Sequence, residues 1–172
     1  MTLISDEYRA LNAASHAQYN SWGRGGVLWQ ERIHALLSDI PYVKSVLDYG
    51  CGKGDLVKAL HRDGYDARGY DPAVPGYDHL PEKADFLVCL DVLEHIEPDC
   101  LGAVLAHIRS LAPRCLLTIA TRPAKHILPD GRNAHLIVEN EAWWLERVGY
   151  HFINVMPIDS LRQREVTVFC EN

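Results

Sequence analysis

The stretch Val46-Leu47-Asp48-Tyr49-Gly50-Cys51-Gly52-Lys53-Gly54 constrains this chain more than any other part of it. A short apolar strand, Ser45 to Tyr49, runs straight into alternating glycines. Leu56, Val57 and Leu60 then start a helix that stops at Gly64. Residues without a Cβ let the backbone turn sharply and approach a ligand closely, beside the positive end of the helix that follows. The spacing is not the dinucleotide fingerprint G-x-G-x-x-G, because Asp55 stands where its third glycine would be. A carboxylate at that helix start also argues against a phosphate ligand. Asp48, two residues before Gly50, is placed to face a positively charged, amine-bearing group. Asp71 ends the next strand, 17 residues after Gly54, where a carboxylate can accept hydrogen bonds from both hydroxyls of a ribose.

Strand-like and helix-like stretches alternate along the rest of the chain. Trp29, Ile33, Leu36, Leu37 and Ile40 recur at helical spacing until Pro41. Asp66 to Tyr70 reads as a strand, and the turn-rich stretch from Pro72 to Lys83 leaves room for a brief one. Ala84 to Leu90 is a continuous apolar run that suits a strand buried on both faces. Pro98-Asp99 is expected to cap a helix carrying Leu101, Val104, Leu105, Ile108 and Leu111, followed by a strand from Arg114 to Ala120. Asn140 caps a helix with Trp144, Leu145 and Val148 that Gly149 ends, and strands at His151–Met156 and Glu165–Cys170 close the chain. Their short connection favours a hairpin, so one strand should run antiparallel to the others. The pattern predicts an α/β fold: a Rossmann-like, doubly wound, mostly parallel seven-stranded sheet with an antiparallel edge hairpin and helices on both faces. Ligands of such sheets sit at the carboxyl ends of the strands, where strand order reverses.

Three segments together resemble the class I S-adenosylmethionine-dependent methyltransferases: the glycine loop, then Gly69-Tyr70-Asp71-Pro72, then Cys89-Leu90-Asp91-Val92-Leu93-Glu94-His95. The resemblance covers roughly residues 43 to 120. It implies S-adenosylmethionine as cofactor, held by Asp48, Gly50, Cys51, Gly52, Asp71, Pro72 and Asp91. One departure is that the family's third strand is compressed here to Gly76-Tyr77-Asp78-His79-Leu80, with Asp78 the acidic residue it offers to an adenine.

A sulfonium methyl is transferred by in-line displacement, so the protein must position an acceptor and take its proton where the acceptor is a hydroxyl. Candidate catalytic residues are His95, His126 and His135. Asp91, Glu94 and His95, at i, i+3 and i+4, share a face if the turn is helical. They resemble the Glu-x-x-Glu-His metal set of the ubiquinone-biosynthesis O-methyltransferases and the small-RNA 2′-O-methyltransferases, with Asp91 in place of the first Glu and His126 or His135 to complete it. The same pattern occurs in metal-free methyltransferases, and the assignment taken here names no metal ligand. The segment 121–139 is too long for an ordinary strand-to-helix loop and is read as a substrate loop, against a plain surface turn at Asp130-Gly131. Of Trp143 and Trp144, one is assigned to the core, and the other either packs there too, the preferred reading, or walls a pocket.

The chain is read as one domain over 1–172. Residues 1–27 are read as an N-terminal arm, whose glycine-rich stretch Tyr19–Gly26 either folds over the donor as a lid or stays flexible. A formal charge of -6 with no basic run disfavours a polymeric nucleic acid. No apolar stretch approaches the roughly 18 residues of a membrane span, and five cysteines without a C-x-x-C pair suit reduced thiols in the cytoplasm. The expected activity is methylation of an oxygen, less readily a nitrogen, on a small polar acceptor such as a sugar, a nucleotide derivative or a metabolite. The alternatives are metal-assisted 2′-O-methylation of an RNA end, and a donor-binding module that transfers nothing. The sequence does not specify the acceptor or the oligomeric state.

Overall fold

The computed structural model describes residues 2–20 and 25–172. Six strands form one sheet in the order β2-β1-β3-β4-β6-β5. They are β1 (Ser45–Tyr49), β2 (Asp66–Tyr70), β3 (Phe86–Leu90), β4 (Arg114–Ala120), β5 (Asn154–Ile158) and β6 (Glu165–Glu171). The pairs β1–β2, β1–β3 and β3–β4 are parallel, whereas β6 is antiparallel to both β4 and β5. The expected single antiparallel strand is therefore β6, inserted between β4 and the edge strand β5. The chain leaves β1 toward β2 on one side and returns to β3 on the other, so strand order reverses beside Asp48 and Asp91.

The sheet has six strands and not seven. Residues 72–83 form no strand, because three short bonds fold them into turns: Val74 N to Asp71 O, Tyr77 N to Val74 O, and Asp71 N to Tyr77 O at 2.9 Å. These turns lay the Tyr77 ring over the glycine loop, against Gly54 and Gly69. Packing an aromatic ring there replaces the hydrogen bonds of an additional edge strand.

Helices cover both faces. Helix α4 (Leu101–Leu111) and α5 (Glu141–Gly149) bury Leu105, Ile108, Trp144 and Val148 against one face. On the other, α2 (Gln30–Ser38) and α3 (Asp55–Arg62) bury Ile33, Leu37, Leu56 and Leu60 beside Phe86 and Phe169. Asn140 caps α5 as expected, its side chain accepting from Trp143 N at 3.0 Å. Trp144 is fully buried, while Trp143 is half-buried with Arg147 over its ring. Asp99 does not act as a cap: Pro98–Cys100 is a 3-10 turn, and α4 follows it with no capping side chain.

The amino-terminal segment carries a helix. Helix α1 spans Asp6–Gln18, with Ser5 as its cap and Asp6 and Glu7 in its first turn. Ser5 also donates from both N and Oγ to the Glu97 carboxylate, which anchors the helix to the turn before α4. Tyr8 of α1 forms a small apolar cluster with Leu128 and Ala134 of the segment after β4. Part of the glycine-rich stretch assigned to a lid, residues 21–24, lies outside the described residues; Gly25–Trp29 is a 3-10 turn leading into α2.

Candidate active site

The glycine loop crosses from the end of β1 to the start of α3. Gly50 N and Cys51 N both donate to Tyr70 O, at 2.7 and 3.1 Å, tying the loop to the end of β2. Gly50 and Gly54 have φ of 79° and 71°, a region that L-residues with side chains enter only at a cost. Space is also closed to a side chain at both. A Cβ on Gly50 would come within 2.8 Å of Val92 Cγ1 and nearer still to Cγ2, and one on Gly54 would overlap the Tyr77 ring.

Asp71 supports this loop. Its Oδ2 accepts from Gly52 N at 3.0 Å and its Oδ1 from Ala73 N at 2.9 Å. Each carboxylate oxygen keeps acceptor capacity, since a carboxylate offers about four lone-pair sites. His16 of α1, a residue the sequence reading passed over, brings Nε2 to 3.8 Å from Asp71 Oδ2. Burial lowers the His16 pKa, and the Asp71 charge opposes that shift. Asp48 is 5% exposed, and burial followed by the Asp71 charge pushes its pKa up to about 7.

These groups surround a cavity of about 250 Å³. Asp48, Gly50, Cys51, Asp71 and Pro72 line one side, and Asp91, Val92 and His95 another. Residues Leu3, Ile4, Asn12 and His16 close it from the amino-terminal side. The amino-terminal segment is thus part of the cavity wall. Gly52 contributes through its bond to Asp71. Asp78 is exposed, does not line the cavity, and accepts from Gly76 N within its own turn.

The second wall follows β3. Asp91 adopts φ of 55°, with its N–H donating to both Thr118 O and Thr118 Oγ1 at 3.0 Å. Its Oδ2 pairs with Arg162 Nη1 at 2.5 Å. Asp91 precedes the single 3-10 turn Leu93–His95, so Asp91, Glu94 and His95 are not stacked on one α-helical face, although Asp91 and His95 line the same cavity. Glu94 is 0% exposed. Its Oε1 accepts from Ala120 N at 2.9 Å, while its Oε2 has no hydrogen-bond partner among the described residues. Burial and then the Asp91 charge push its pKa up to about 8.

Two imidazoles lie beside this carboxyl. His95 Nδ1 is 2.8 Å from Ala134 O and His135 Nδ1 is 2.6 Å from Arg122 O. A carbonyl only accepts, so both rings carry their proton on Nδ1 and leave Nε2 as the unprotonated nitrogen. The rings meet edge to face at 4.7 Å. One ligand-type atom from each of Glu94, His95 and His135 falls within 4.8 Å of the other two. Burial lowers the His95 pKa to about 3 and also lowers that of His135, so both are neutral near pH 7. His126 is not one of the three whose ligand-type atoms converge, but its charge acts on His95, and its ring lies 4.7 Å from that of Tyr19.

The long segment after β4 is held by local hydrogen bonds. Asp130 and Arg132 form a surface turn, joined through backbone and guanidinium. Asn133 knits the rest: its Oδ1 accepts from Ala124 N and His135 N, and its Nδ2 donates to Ala124 O. That bonding orients His135 toward His95.

A family model for a methyltransferase domain matches residues 19–164. This chain belongs to the class I S-adenosylmethionine-dependent methyltransferases. Ubiquinone biosynthesis O-methyltransferase from Psychrobacter arcticus is 32% identical over 114 residues, which are 49% of this chain and 44% of that protein. The match thus spans less than half of the curated relative's length. Among solved structures, the 1,6-didemethyltoxoflavin-N1-methyltransferase of Burkholderia thailandensis, with its substrate and S-adenosylhomocysteine bound, covers all of this chain and 92% of its own. It is 20% identical, with a TM-score of 0.64. Magnesium protoporphyrin IX methyltransferase from Synechocystis PCC 6803 covers 86% of this chain and 83% of its own, at 20% identity and a TM-score of 0.59. The methyltransferase uses S-adenosylmethionine as its donor, and no helix among its described residues is long and apolar enough to cross a membrane.

Proposed function

We propose that this methyltransferase transfers its methyl group to a hydroxyl oxygen of a small polar molecule, with His135 receiving the acceptor's proton. The observation that carries this reading is the neutral, carbonyl-oriented His95–His135 pair next to the donor cavity. S-adenosylmethionine supplies an activated methyl group when bound. The chain's residues fit that donor: Asp71 retains acceptor capacity for ribose hydroxyls, Asp48 offers a carboxyl group to its amine, and Gly50 and Gly54 keep the floor free of side chains. His95 and His135 are fixed by Ala134 O and Arg122 O, so an unprotonated Nε2 is held in place without solvent reorganisation. A curated relative named as an O-methyltransferase supports oxygen as the methylated atom. The net charge of -6 remains an argument against a long nucleic acid.

A second reading is favoured by one observation, the grouping of Glu94 with His95 and His135. Two neutral imidazoles with carbonyl-bonded Nδ1 atoms and a carboxyl oxygen lacking a hydrogen bond are a donor set suited to a divalent transition ion such as Mn²⁺. A bound ion would lower the pKa of an acceptor hydroxyl.

The test is labelled methyl transfer from S-adenosylmethionine to a panel of hydroxylated and aminated small molecules and to short RNA, with and without a chelator. His135→Ala is expected to leave S-adenosylhomocysteine binding intact and to slow turnover about 100-fold or more. Label appearing only in the RNA fraction would overturn the acceptor class. Full activity of His135→Ala would remove the proposed proton acceptor, and loss of activity with chelator would favour the second reading.

A further inference from the structure

Helix α1 is anchored at both ends. At its start Ser5 donates to the Glu97 carboxylate. Beyond its last turn, Lys53 Nζ of the glycine loop donates to Tyr19 O at 2.9 Å and to Asn20 O at 3.3 Å. Ile4, Tyr8 and Leu11 pack beside Leu128 and Ala134 of the segment after β4. Asn12 and His16, one turn apart and so on one face, line the donor cavity.

In that cavity His16 meets Asp71. Its Nε2 lies 3.8 Å from Asp71 Oδ2, and the two side chains are 11% and 12% exposed. The separation is too long for a hydrogen bond between them. It suits two hydrogen bonds that meet at one atom, because an oxygen about 2.8 Å from each group spans a gap of this size. A carboxylate only accepts, so the imidazole form favoured beside Asp71 carries its hydrogen on Nε2. The bridging atom must therefore accept on one side and donate on the other, and a hydroxyl does both. Both sides of the gap are fixed. Asp71 is bonded to Gly52 N and Ala73 N, and His16 sits on the anchored helix.

We infer that His16 is a ribose-binding residue of the donor site, donating from Nε2 to a ribose hydroxyl whose own hydrogen goes to Asp71. The imidazolium and the neutral form with hydrogen on Nε2 both donate there, so the contact does not depend on the charge of the ring. The amino-terminal helix thereby becomes a third contributor to the donor site, beside the glycine loop and the end of β2, and it selects for an intact ribose. This role presupposes that Asp71 accepts from the ribose hydroxyls. One such hydrogen bond is worth about three- to tenfold in affinity.

The test is calorimetric titration of the full chain with three ligands: S-adenosylhomocysteine and its 2′-deoxy and 3′-deoxy analogues. The wild-type protein is expected to bind at least one deoxy analogue more weakly than the parent. His16→Phe keeps a ring and removes the N–H. It is expected to weaken S-adenosylhomocysteine about three- to tenfold and to leave affinity for the analogue lacking the bridging hydroxyl unchanged. A merely structural role weakens all three ligands by the same factor, so the preference for the hydroxyl keeps its size; that result overturns the inference, as does unchanged S-adenosylhomocysteine affinity in the variant. Equal wild-type affinity for all three ligands overturns the ribose reading of Asp71 together with it. Should His16→Phe fail to fold, His16→Ala, favourable within a helix, makes the same comparison. No acceptor is present in these titrations, so failure here is separate from failure of the proposed O-methylation.

Discussion

Replacing Gly50 with alanine perturbs the donor loop at the point where two costs meet. The first is conformational: φ is 79°, and placing a Cβ in the left-handed region costs roughly 1–2 kcal/mol. The second is steric: the new methyl would lie within 2.8 Å of Val92 Cγ1, with Cγ2 nearer still. Val92 follows Asp91 on the opposite wall, and overpacking of this kind costs typically about 1–3 kcal/mol. The loop cannot slide away freely, because Gly50 N and Cys51 N are both bonded to Tyr70 O. Gly50→Ala should therefore lose roughly 2–5 kcal/mol of stability, the two costs taken together. Guanidinium unfolding of the wild type, Gly50→Ala, Val92→Ala and the double variant forms a cycle that separates them. Val92→Ala removes the colliding methyls, so the double variant should be more stable than additivity predicts by at least about 1 kcal/mol. S-adenosylhomocysteine affinity should recover in parallel. Strict additivity would refute the reasoning, because the steric clash across the cavity would then not exist.

Two further outcomes follow from the same structure. The Asp48 pKa of about 7 in the folded protein lies above the ordinary carboxylate value near 3.9. Between those pH values the folded state holds a proton that the unfolded state has lost, so this residue's contribution to stability falls as pH rises from about 4 to about 7. Asp48→Asn removes that dependence and should gain roughly 2–4 kcal/mol on the wild type between pH 5 and pH 8; parallel curves by denaturant titration would contradict it. Asn140→Ala deletes the cap bond to Trp143 N and should cost about 1 kcal/mol with no change in donor affinity. A loss of donor binding in that variant would show that α5 is coupled to the cavity.

How far the sequence carried the reading depended on whether a signal was local. The glycine loop, Asp71 and the Asn140 cap are written into short stretches, because left-handed turns, strand ends and capping oxygens each demand particular residue types. Buried parallel strands are also legible, since a strand covered on both faces reads as an unbroken apolar run, as Phe86–Leu90 does. Helix α1 could have been read from Ser5 followed by Asp6 and Glu7, but its apolar signal is weak, because Tyr8 and Ser15 are its only buried residues. The absence of a further strand between residues 72 and 83 follows from where Tyr77 packs, a contact with Gly54 and Gly69 that no local pattern announces.

The sequence by itself determined the order of the elements, the antiparallel closing strand and the residues that form the donor loop, because these rest on interactions between near neighbours. Only the tertiary structure decided which side chains meet. It set Asp91 before the one 3-10 turn that carries Glu94 and His95, brought His135 to His95 across about 40 residues of chain, and enclosed Glu165 beside Arg162. The physical reason is that burial and charge are properties of a site and not of a residue. Glu165 is an ordinary acidic residue in the sequence, and only its place at the start of β6 buries its side chain beside Arg162.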